Sequence, residues 1–135
     1  MDIQYKTDLS DVSWQRLTEL FEAVGWDTRP PEDLKQACER STYVRFAYHR
    51  NKIVGTGRIV SDGKYYAMIV DLAVDPAYQG NGIGSTILRQ LTGEIADYWI
   101  VSLRAAEGKE PFYLKRGWKK SKSAYHWSRT FEDQT

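Results

Sequence analysis

Three glycines at alternate positions follow an apolar stretch in the segment VDPAYQGNGIGSTIL, residues 74–88. They are Gly80, Gly82 and Gly84, and an apolar helical pattern begins directly after them. Glycine in a helix costs about 0.8–1 kcal/mol relative to alanine, so a turn or a close ligand must require it. The backbone N–H groups of a first helical turn lack partners in the helix and lie at the positive end of its dipole. A turn by itself needs one glycine, and three therefore favour a site where a phosphate group approaches the backbone.

Two well-known phosphate-binding motifs can be tested by their spacing. The Walker A loop requires a lysine after its last glycine, but Ser85 follows Gly84 directly. The dinucleotide-binding fingerprint requires G-x-G-x-x-G, whereas the segment GNGIGS gives G-x-G-x-G. The spacing therefore excludes both motifs.

Two motifs together resemble the GNAT superfamily of N-acetyltransferases. The first is Gln79-x-x-Gly82-x-Gly84, which is similar to the family signature Q/R-x-x-G-x-G/A and follows the strand-like IVDLAV and an Asp-Pro pair. The second is FYLKRGW, residues 112–118, where the family typically has FYxxxGF. The spacing and the order of elements resemble the family from about residue 40 to residue 118.

The resemblance implies that acetyl-CoA is the cosubstrate. The family holds the CoA pyrophosphate on backbone N–H groups at this signature, which implies a binding set of Gln79, Gly80, Asn81, Gly82, Ile83, Gly84 and Ser85. The pantetheine arm carries amides and can therefore add to a strand edge, which the resemblance places at Leu72, Ala73 and Val74. A backbone N–H near Leu72 or Ala73 would then stabilise the oxyanion that forms on the acetyl group.

The residues for acid–base chemistry are predicted from the same resemblance. Tyr113 matches the family tyrosine that protonates the departing CoA thiolate, and a phenol with a pKa of about 10 is protonated at neutral pH. Asp71 interrupts an apolar strand beside the predicted pantetheine edge, and it is the first candidate for the base that deprotonates the amine. A carboxylate hydrogen-bonded to the neighbouring backbone is the alternative for Asp71, and a chain of waters is the alternative base. Met68 stands where some members carry a glutamate base, which excludes that base here. Glu107 stands where many members carry an asparagine, so the polar contact of that asparagine is not implied for this chain.

The acceptor pocket is predicted where the first two helices and their loop meet the hairpin of the sheet. Glu22 or Asp27 could hold a cationic amine, and Trp26 could cover its carbon frame. The full predicted set is Glu22, Trp26, Asp27, Thr28 and Tyr66, with Tyr65 nearby. A capped loop with a packed tryptophan is the alternative interpretation of these residues.

Composition and charge indicate an ordinary globular domain. The 135 residues are 41% hydrophobic and 27% charged, which predicts one N-acetyltransferase domain over residues 1–135. The net charge of +1, without a basic stripe, predicts no nucleic-acid partner. The absence of a signal-peptide pattern and of a long apolar run predicts a cytoplasmic protein with no membrane partner, and the lone cysteine, Cys38, fits a reducing compartment. His49 and His126 have no partner at metal-ligand spacing, so no metal is predicted.

The periodicity of apolar residues predicts the elements that position these groups. Helical spacing predicts two helices, over residues 10–26 and 28–40. Alternation then predicts three antiparallel strands, joined by turns at Arg50-Asn51 and Asp62-Gly63. The third strand is nearly all apolar from Ala67 to Val74, which predicts that both of its faces are covered.

A crossover helix and three further elements are predicted after the glycines. The segment YWIVSL, residues 98–103, is a strand that must run parallel to the third strand because a helix joins the two. Residues 110–118 form a short helix and residues 118–131 a closing strand. The predicted fold class is α+β (mixed α/β), a central mixed, mostly antiparallel sheet flanked by helices. The resemblance implies that its one parallel strand pair is splayed to admit acetyl-CoA.

The function expected from these residues is acetyl transfer. We expect an acetyl-CoA-dependent N-acetyltransferase that acts on a primary amine, of a small molecule or a protein, by direct attack in a ternary complex. A non-catalytic CoA-binding sensor or interaction module is the alternative, and a nucleotide-phosphate binder is a third hypothesis. The expected partner is the amine substrate, and a homodimer is suggested by family habit alone.

Overall fold

The computed structural model describes residues 1–127 of the chain. The elements are β1 (Gln4–Lys6), α1 (Trp14–Ala23), α2 (Pro31–Glu39), β2 (Tyr43–His49), β3 (Lys52–Ser61), β4 (Tyr66–Val74), a 3-10 helix (Pro76–Tyr78), α3 (Ile83–Glu94), β5 (Ile100–Leu103) and α4 (Glu110–Leu114). The chain divides into two compact units, Met1–Arg104 and a second unit that begins at Ala105.

The first unit is built on a mixed sheet of five strands in the order β1-β2-β3-β4-β5. All neighbouring strands are antiparallel except β4 and β5, which run parallel. The parallel pairing ends at Ile69 and Leu103, whereas β4 continues beside β3 as far as Val74. The predicted fold class is therefore confirmed, including a parallel pair that stops while β4 goes on.

Helices cover both faces of this sheet. Alternate side chains of a strand point to opposite faces, and on β2 the apolar set Val44, Phe46 and Tyr48 joins the core formed with α1 and α2. Arg45, between them, hydrogen-bonds to Gln90 and Glu94 of α3 on the other face. The sheet therefore lies between the α1–α2 pair and α3. Among the described residues, no helix is both long and apolar enough to cross a bilayer.

The two predicted hairpins are present, and the second has a longer loop than expected. Arg50 and Asn51 both have positive φ, of 51° and 64°, as a two-residue hairpin turn of type I′ requires. The second loop contains all residues between Ser61 and Tyr66. It is longer because the Asp62 carboxylate accepts hydrogen bonds from the backbone N–H groups of Lys64, Tyr65 and Tyr66. These hydrogen bonds lower the pKa of Asp62 and replace the expected two-residue turn.

The prediction that β4 is covered on both faces is wrong for its first half. Ala67 and Ile69 are buried, but Tyr66 and Met68, on the opposite face, are 55% and 43% exposed. An apolar run shows that the side chains on both faces of a strand are apolar, but it does not show which neighbours cover each face.

The second unit contains α4. The closing strand predicted for this part of the chain is not found in the residues that the structure describes. Residues 118–127 form no strand, and residues 128–131 of that prediction lie outside the described residues. Tyr125 and Trp127 are more than nine-tenths exposed. A strand needs a neighbour to pair with, and local alternation of residue types does not supply one.

Candidate active site

The glycine segment forms a turn with left-handed backbone between the 3-10 helix and α3. Gly80 and Gly82 have φ of +84° and +78°, and Gly82 is the N-cap of α3. Side chains with a Cβ rarely adopt this conformation, so the turn itself requires both glycines. The expectation that a turn would use only one of the three is therefore wrong, and the glycines alone do not establish a ligand site.

The backbone N–H groups of this turn are the stronger sign of a binding site. Within residues 1–127, no protein acceptor receives a hydrogen bond from the N–H groups of five consecutive residues, 80–84. The helical pattern begins only with Thr86, whose N–H donates to Gly82 O at 3.0 Å. A Cβ built at Gly80 or Gly82 would meet no heavy atom within 4 Å, so the space beside the turn is open. Such a group of donors at a helix N-terminus fits a pyrophosphate.

The side chains of Gln79 and Asn81 brace the turn. Gln79 Nε2 donates to the carbonyl of Val74 at 3.0 Å, and Asn81 Nδ2 donates to that of Tyr78 at 2.9 Å. The Gln79 amide thus holds the loop to the end of β4 and the Asn81 amide holds it to the 3-10 helix, which leaves the backbone N–H groups to meet a ligand. Ser85, the last of the predicted set, is half-buried in the first turn of α3.

An ion pair that the sequence analysis did not find anchors this loop. Asp75 Oδ2 accepts from Arg16 Nη2 at 2.6 Å, and both side chains are about 15% exposed. Asp75 Oδ1 also accepts from the N–H of Ala77, and Arg16 Nε donates to Ile53 O. Burial opposes ionisation of Asp75, but the hydrogen bonds from Arg16 and Ala77 outweigh it and lower its pKa.

Arg16→Met is expected to lower the free energy of unfolding by about 1–3 kcal/mol at pH 7, because it leaves Oδ2 of the largely buried Asp75 carboxylate without its donor. The pKa of Asp75 is lower in the folded state, so its contribution is present above the ordinary carboxyl pKa of about 3.9 and is lost as the pH falls through the folded value. The loss in Arg16→Met should therefore shrink in acid. Urea unfolding at pH 7 and pH 3 measures this difference.

Lys6→Met is the matched control for that experiment. Lys6 pairs with Asp11 at 2.9 Å, but the Asp11 side chain is 62% exposed. An exposed pair contributes about 0–1 kcal/mol, so this variant should stay close to the wild type. Equal losses in the two variants would contradict the anchoring role of Arg16.

The edge of β4 that was predicted to hold pantetheine is open. Beyond Ile69, no strand of the described chain lies beside the edge that faces away from β3. Asp75 N–H donates to Val54 O on β3, and successive N–H groups of a strand point to opposite sides. The N–H groups of Val74 and Leu72 therefore face the open edge, and that of Ala73 faces β3.

A bulge in β4 interrupts the ladder at the predicted oxyanion position. Thr56 pairs with Ala73 and Arg58 with Val70, so one residue of β3 lies opposite two residues of β4. Asp71 lies in this bulge with a φ of 57°, a left-handed conformation that Asp tolerates better than most residues. The bulge changes the direction of the backbone beside Leu72, next to the open edge.

The Asp71 side chain pairs with two arginines. Its Oδ2 atom accepts from Arg29 Nη1 and from Arg58 Nε, each at 2.9 Å, and the side chain is 12% exposed. These partners differ from the neighbouring backbone groups that the alternative interpretation expected. A proton taken from an amine would have to go to Oδ1, since Oδ2 is occupied.

The structure brings together four of the five predicted acceptor residues. Glu22, Trp26, Asp27 and Thr28 lie at the end of α1 and in the loop that follows, where Thr28 Oγ1 donates to Glu22 Oε2 at 2.6 Å. Trp26 stacks on Phe21 with ring centroids 5.2 Å apart, as the packed-loop alternative predicts.

Tyr66, the fifth predicted acceptor residue, lies apart from the loop. It begins β4, five residues before Asp71, which is roughly 16 Å at the rise of a strand. It is paired there with Ile100 of β5. The loop that contains Arg29 reaches the sheet at Asp71 instead.

Tyr113 lies in α4 of the second unit. Its ring makes edge contacts with Phe112 and Trp118, with centroids 5.0 Å and 6.2 Å apart. Burial raises the pKa of the phenol above its ordinary value, so the group is protonated at neutral pH and able to donate a proton. Glu107, which departs from the family asparagine, is exposed in the turn before α4.

The remaining nucleophilic and metal-binding side chains are not arranged as a site. Among residues 1–127, no group of three His, Cys, Asp or Glu side chains is placed to hold a metal ion. Burial raises the pKa of Cys38 to about 11, so its thiol is protonated at neutral pH. His49 Nδ1 lies 2.8 Å from Tyr78 Oη, a contact that adds to the support of the glycine turn.

Comparison with known proteins agrees with this fold and identifies the family. The family model of the acetyltransferase (GNAT) domain matches residues 10–127, and the chain therefore belongs to the GNAT family. The chain is an N-acetyltransferase, as its named relatives are. The family uses acetyl-CoA, and the N–H groups of residues 80–84, which have no acceptor within the described part of the chain, fit its diphosphate.

Three relatives illustrate the similarity. The uncharacterised N-acetyltransferase ycf52 of Porphyra purpurea is 29% identical over 119 residues, which cover 84% of this chain and 68% of the relative. A ycf52-like N-acetyltransferase of Prochlorococcus marinus is 31% identical over 108 residues, which cover 76% of this chain and 60% of the relative. The solved GNAT-family acetyltransferase SP0256 of Streptococcus pneumoniae has a TM-score of 0.78 at 28% identity, covering 95% of this chain and 99% of that one.

Proposed function

We propose that this enzyme transfers the acetyl group of acetyl-CoA to a primary amine, carried by a small molecule or by a protein. The observation that supports it best is the group of unpaired N–H donors of residues 80–84 at the N-terminus of α3. These donors lie just after β4, whose edge is open from Val70 to Val74. A diphosphate and an amide-bearing arm are the two chemical features of CoA that such neighbouring surfaces match.

Different parts of the chain have different roles in this reaction. The turn at residues 80–84 binds the diphosphate, and the outward N–H of Val74 hydrogen-bonds a pantetheine amide. The bulge at Asp71 directs the outward N–H of Leu72 toward the acetyl oxygen, where negative charge develops. The amine nitrogen forms its bond to the acetyl carbon as the carbon–sulfur bond breaks, and Tyr113 gives its phenolic proton to the sulfur.

The proton lost by the amine needs an acceptor. Asp71 remains one candidate through its Oδ1 atom, and a chain of waters is the other. Glu22, at the end of α1, and Asp27, in the loop between α1 and α2, supply negative charge for a cationic amine. A cytoplasmic location and a homodimer are part of the proposal on the strength of the sequence alone.

A ligand panel followed by an activity panel tests this proposal. Acetyl-CoA at 100 times its Kd should raise the free energy of unfolding by about 2.7 kcal/mol, whereas ATP and NAD at the same concentration should have little effect. Acetyl-CoA should then be consumed in the presence of one class of amines from a broad panel. The measurements are thermal unfolding and release of free CoA thiol.

The outcomes separate the three hypotheses. Binding of CoA without consumption for any amine would favour the non-catalytic sensor or interaction module. Protection by ATP or NAD without protection by CoA would instead favour a nucleotide-phosphate binder and contradict the proposal.

A further inference from the structure

We propose that Arg29, Asp71 and Arg58 form an ion-pair network that fixes the acceptor loop to the bulge of β4. The acceptor loop is defined here as residues 24–30, between α1 and α2. The network thereby sets the position of the amine relative to the acetyl group, and all three are positioning residues. This inference rests on the acetyl transfer proposed above.

Asp71 is the centre of the network because of where the bulge places it. The bulge directs its carboxylate to the face of the sheet that α1 and α2 cover, where Oδ2 meets both guanidinium groups. The side chains of Asp71 and Arg58 are 12% and 19% exposed, so water screens their attraction only partly.

Arg29 connects the loop to that centre. Its guanidinium donates to Asp71 and lies over the rings of Phe21 and Trp26, 4.9 Å and 5.6 Å from their centroids. Its backbone carbonyl accepts from Thr18 Oγ1 of α1 at 2.8 Å. The residue is thus held by aromatic stacking, by a helix and by the ion pair, and it fixes Trp26 relative to the sheet.

Arg58 extends the same network to the end of α2. Its Nη1 atom donates to Ser41 Oγ at 3.2 Å, and Ser41 Oγ donates to the carbonyl of Ala37 in α2 at 2.8 Å. One carboxylate therefore links the acceptor loop, β3, the bulge of β4 and the C-terminus of α2. A link of this kind is suited to orienting two reactants, because displacements near 1 Å can cost about 10²-fold in rate.

Two variants distinguish positioning from direct base catalysis. Asp71→Asn keeps the size of the side chain and tolerates positive φ, but it removes the charge. Arg29→Met removes the link and leaves the Asp71 carboxylate in place. If the network positions the amine, both variants should lower kcat/KM for the amine by about 10–100-fold while KM for acetyl-CoA is unchanged. The kcat/KM of the double variant should be no lower than that of Asp71→Asn, because both substitutions break the same ion pair between Arg29 and Asp71.

Controls and a second readout complete the test. Arg89→Met makes the same chemical change at an exposed position of α3 and should keep wild-type kinetics. Arg29→Lys keeps the positive charge and should retain more activity than Arg29→Met. Hydrogen exchange should become faster in residues 24–30 in both Asp71→Asn and Arg29→Met, whether or not an amine substrate has been found.

The possible results each decide the question. One combination of results would make Asp71 the base and overturn the proposal. In that case Arg29→Met has wild-type kinetics, whereas Asp71→Asn loses most of its activity and its rate no longer shows the rise with pH that reports a catalytic base. If the wild type acetylates no amine, the proposed function fails, and hydrogen exchange alone then tests the network. Unchanged exchange of residues 24–30 in both variants overturns it. If Asp71→Asn does not fold, Arg29→Met and Arg29→Lys carry the comparison.

Discussion

Gly82→Val is expected to abolish CoA binding and to leave the fold intact. Gly82 has a φ of +78°, and a Cβ at this position would project into the open space beside the unpaired N–H groups of residues 80–84. A branched side chain there would occupy the place of the diphosphate. Binding is measured by calorimetry with CoA, and folding by circular dichroism and thermal unfolding.

Gly63→Val is the control that separates strain from loss of the site. Gly63 lies in the β3–β4 loop with a φ of +79°, and a Cβ there would also meet nothing within 4 Å. A left-handed conformation costs about 1–2 kcal/mol for a residue with a Cβ, and somewhat more for valine, at either position. Gly63→Val should therefore lose similar stability and still bind CoA. Wild-type affinity in Gly82→Val, or equal loss in both variants, would contradict the role of the turn.

Tyr113→Phe is expected to lower kcat by about 10²–10⁴-fold with no change in the Kd for acetyl-CoA. The variant removes only the phenolic oxygen, so no proton is available from this position for the leaving thiolate. Because burial raises the pKa of Tyr113, the wild type should not lose activity through its deprotonation until the pH exceeds about 10. Initial rates between pH 6 and pH 10 measure both effects.

Tyr125→Phe is the matched variant for Tyr113→Phe. Tyr125 lies in the same unit and its side chain is 94% exposed, so loss of its hydroxyl should leave the kinetics unchanged. Equal activity of Tyr113→Phe and the wild type would remove the proton donor from the proposed mechanism. It would also strengthen the hypothesis of a CoA-binding module.

Local patterns in the sequence were sufficient for most of the fold. The turn at Arg50-Asn51, the hairpin after Asp62 and the crossover from β4 to β5 each depend on residues close in the chain, and the structure confirms them. The parallel pairing of β4 and β5 follows from the length of the helix between them. The glycine signature and the FYLKRGW segment likewise predicted the GNAT family, which the family model confirms.

Only the tertiary structure decided which side chains meet at the site. Asp71 pairs with Arg29, 42 residues away, and Asp75 with Arg16, 59 residues away. Tyr66 was predicted with the acceptor loop and lies elsewhere on β4. Local sequence determines backbone conformation and the faces of helices and strands, because hydrogen-bonding and steric preferences act between near neighbours. Ion pairs between different elements depend on how whole elements pack, and no spacing of residues along the chain encodes that arrangement.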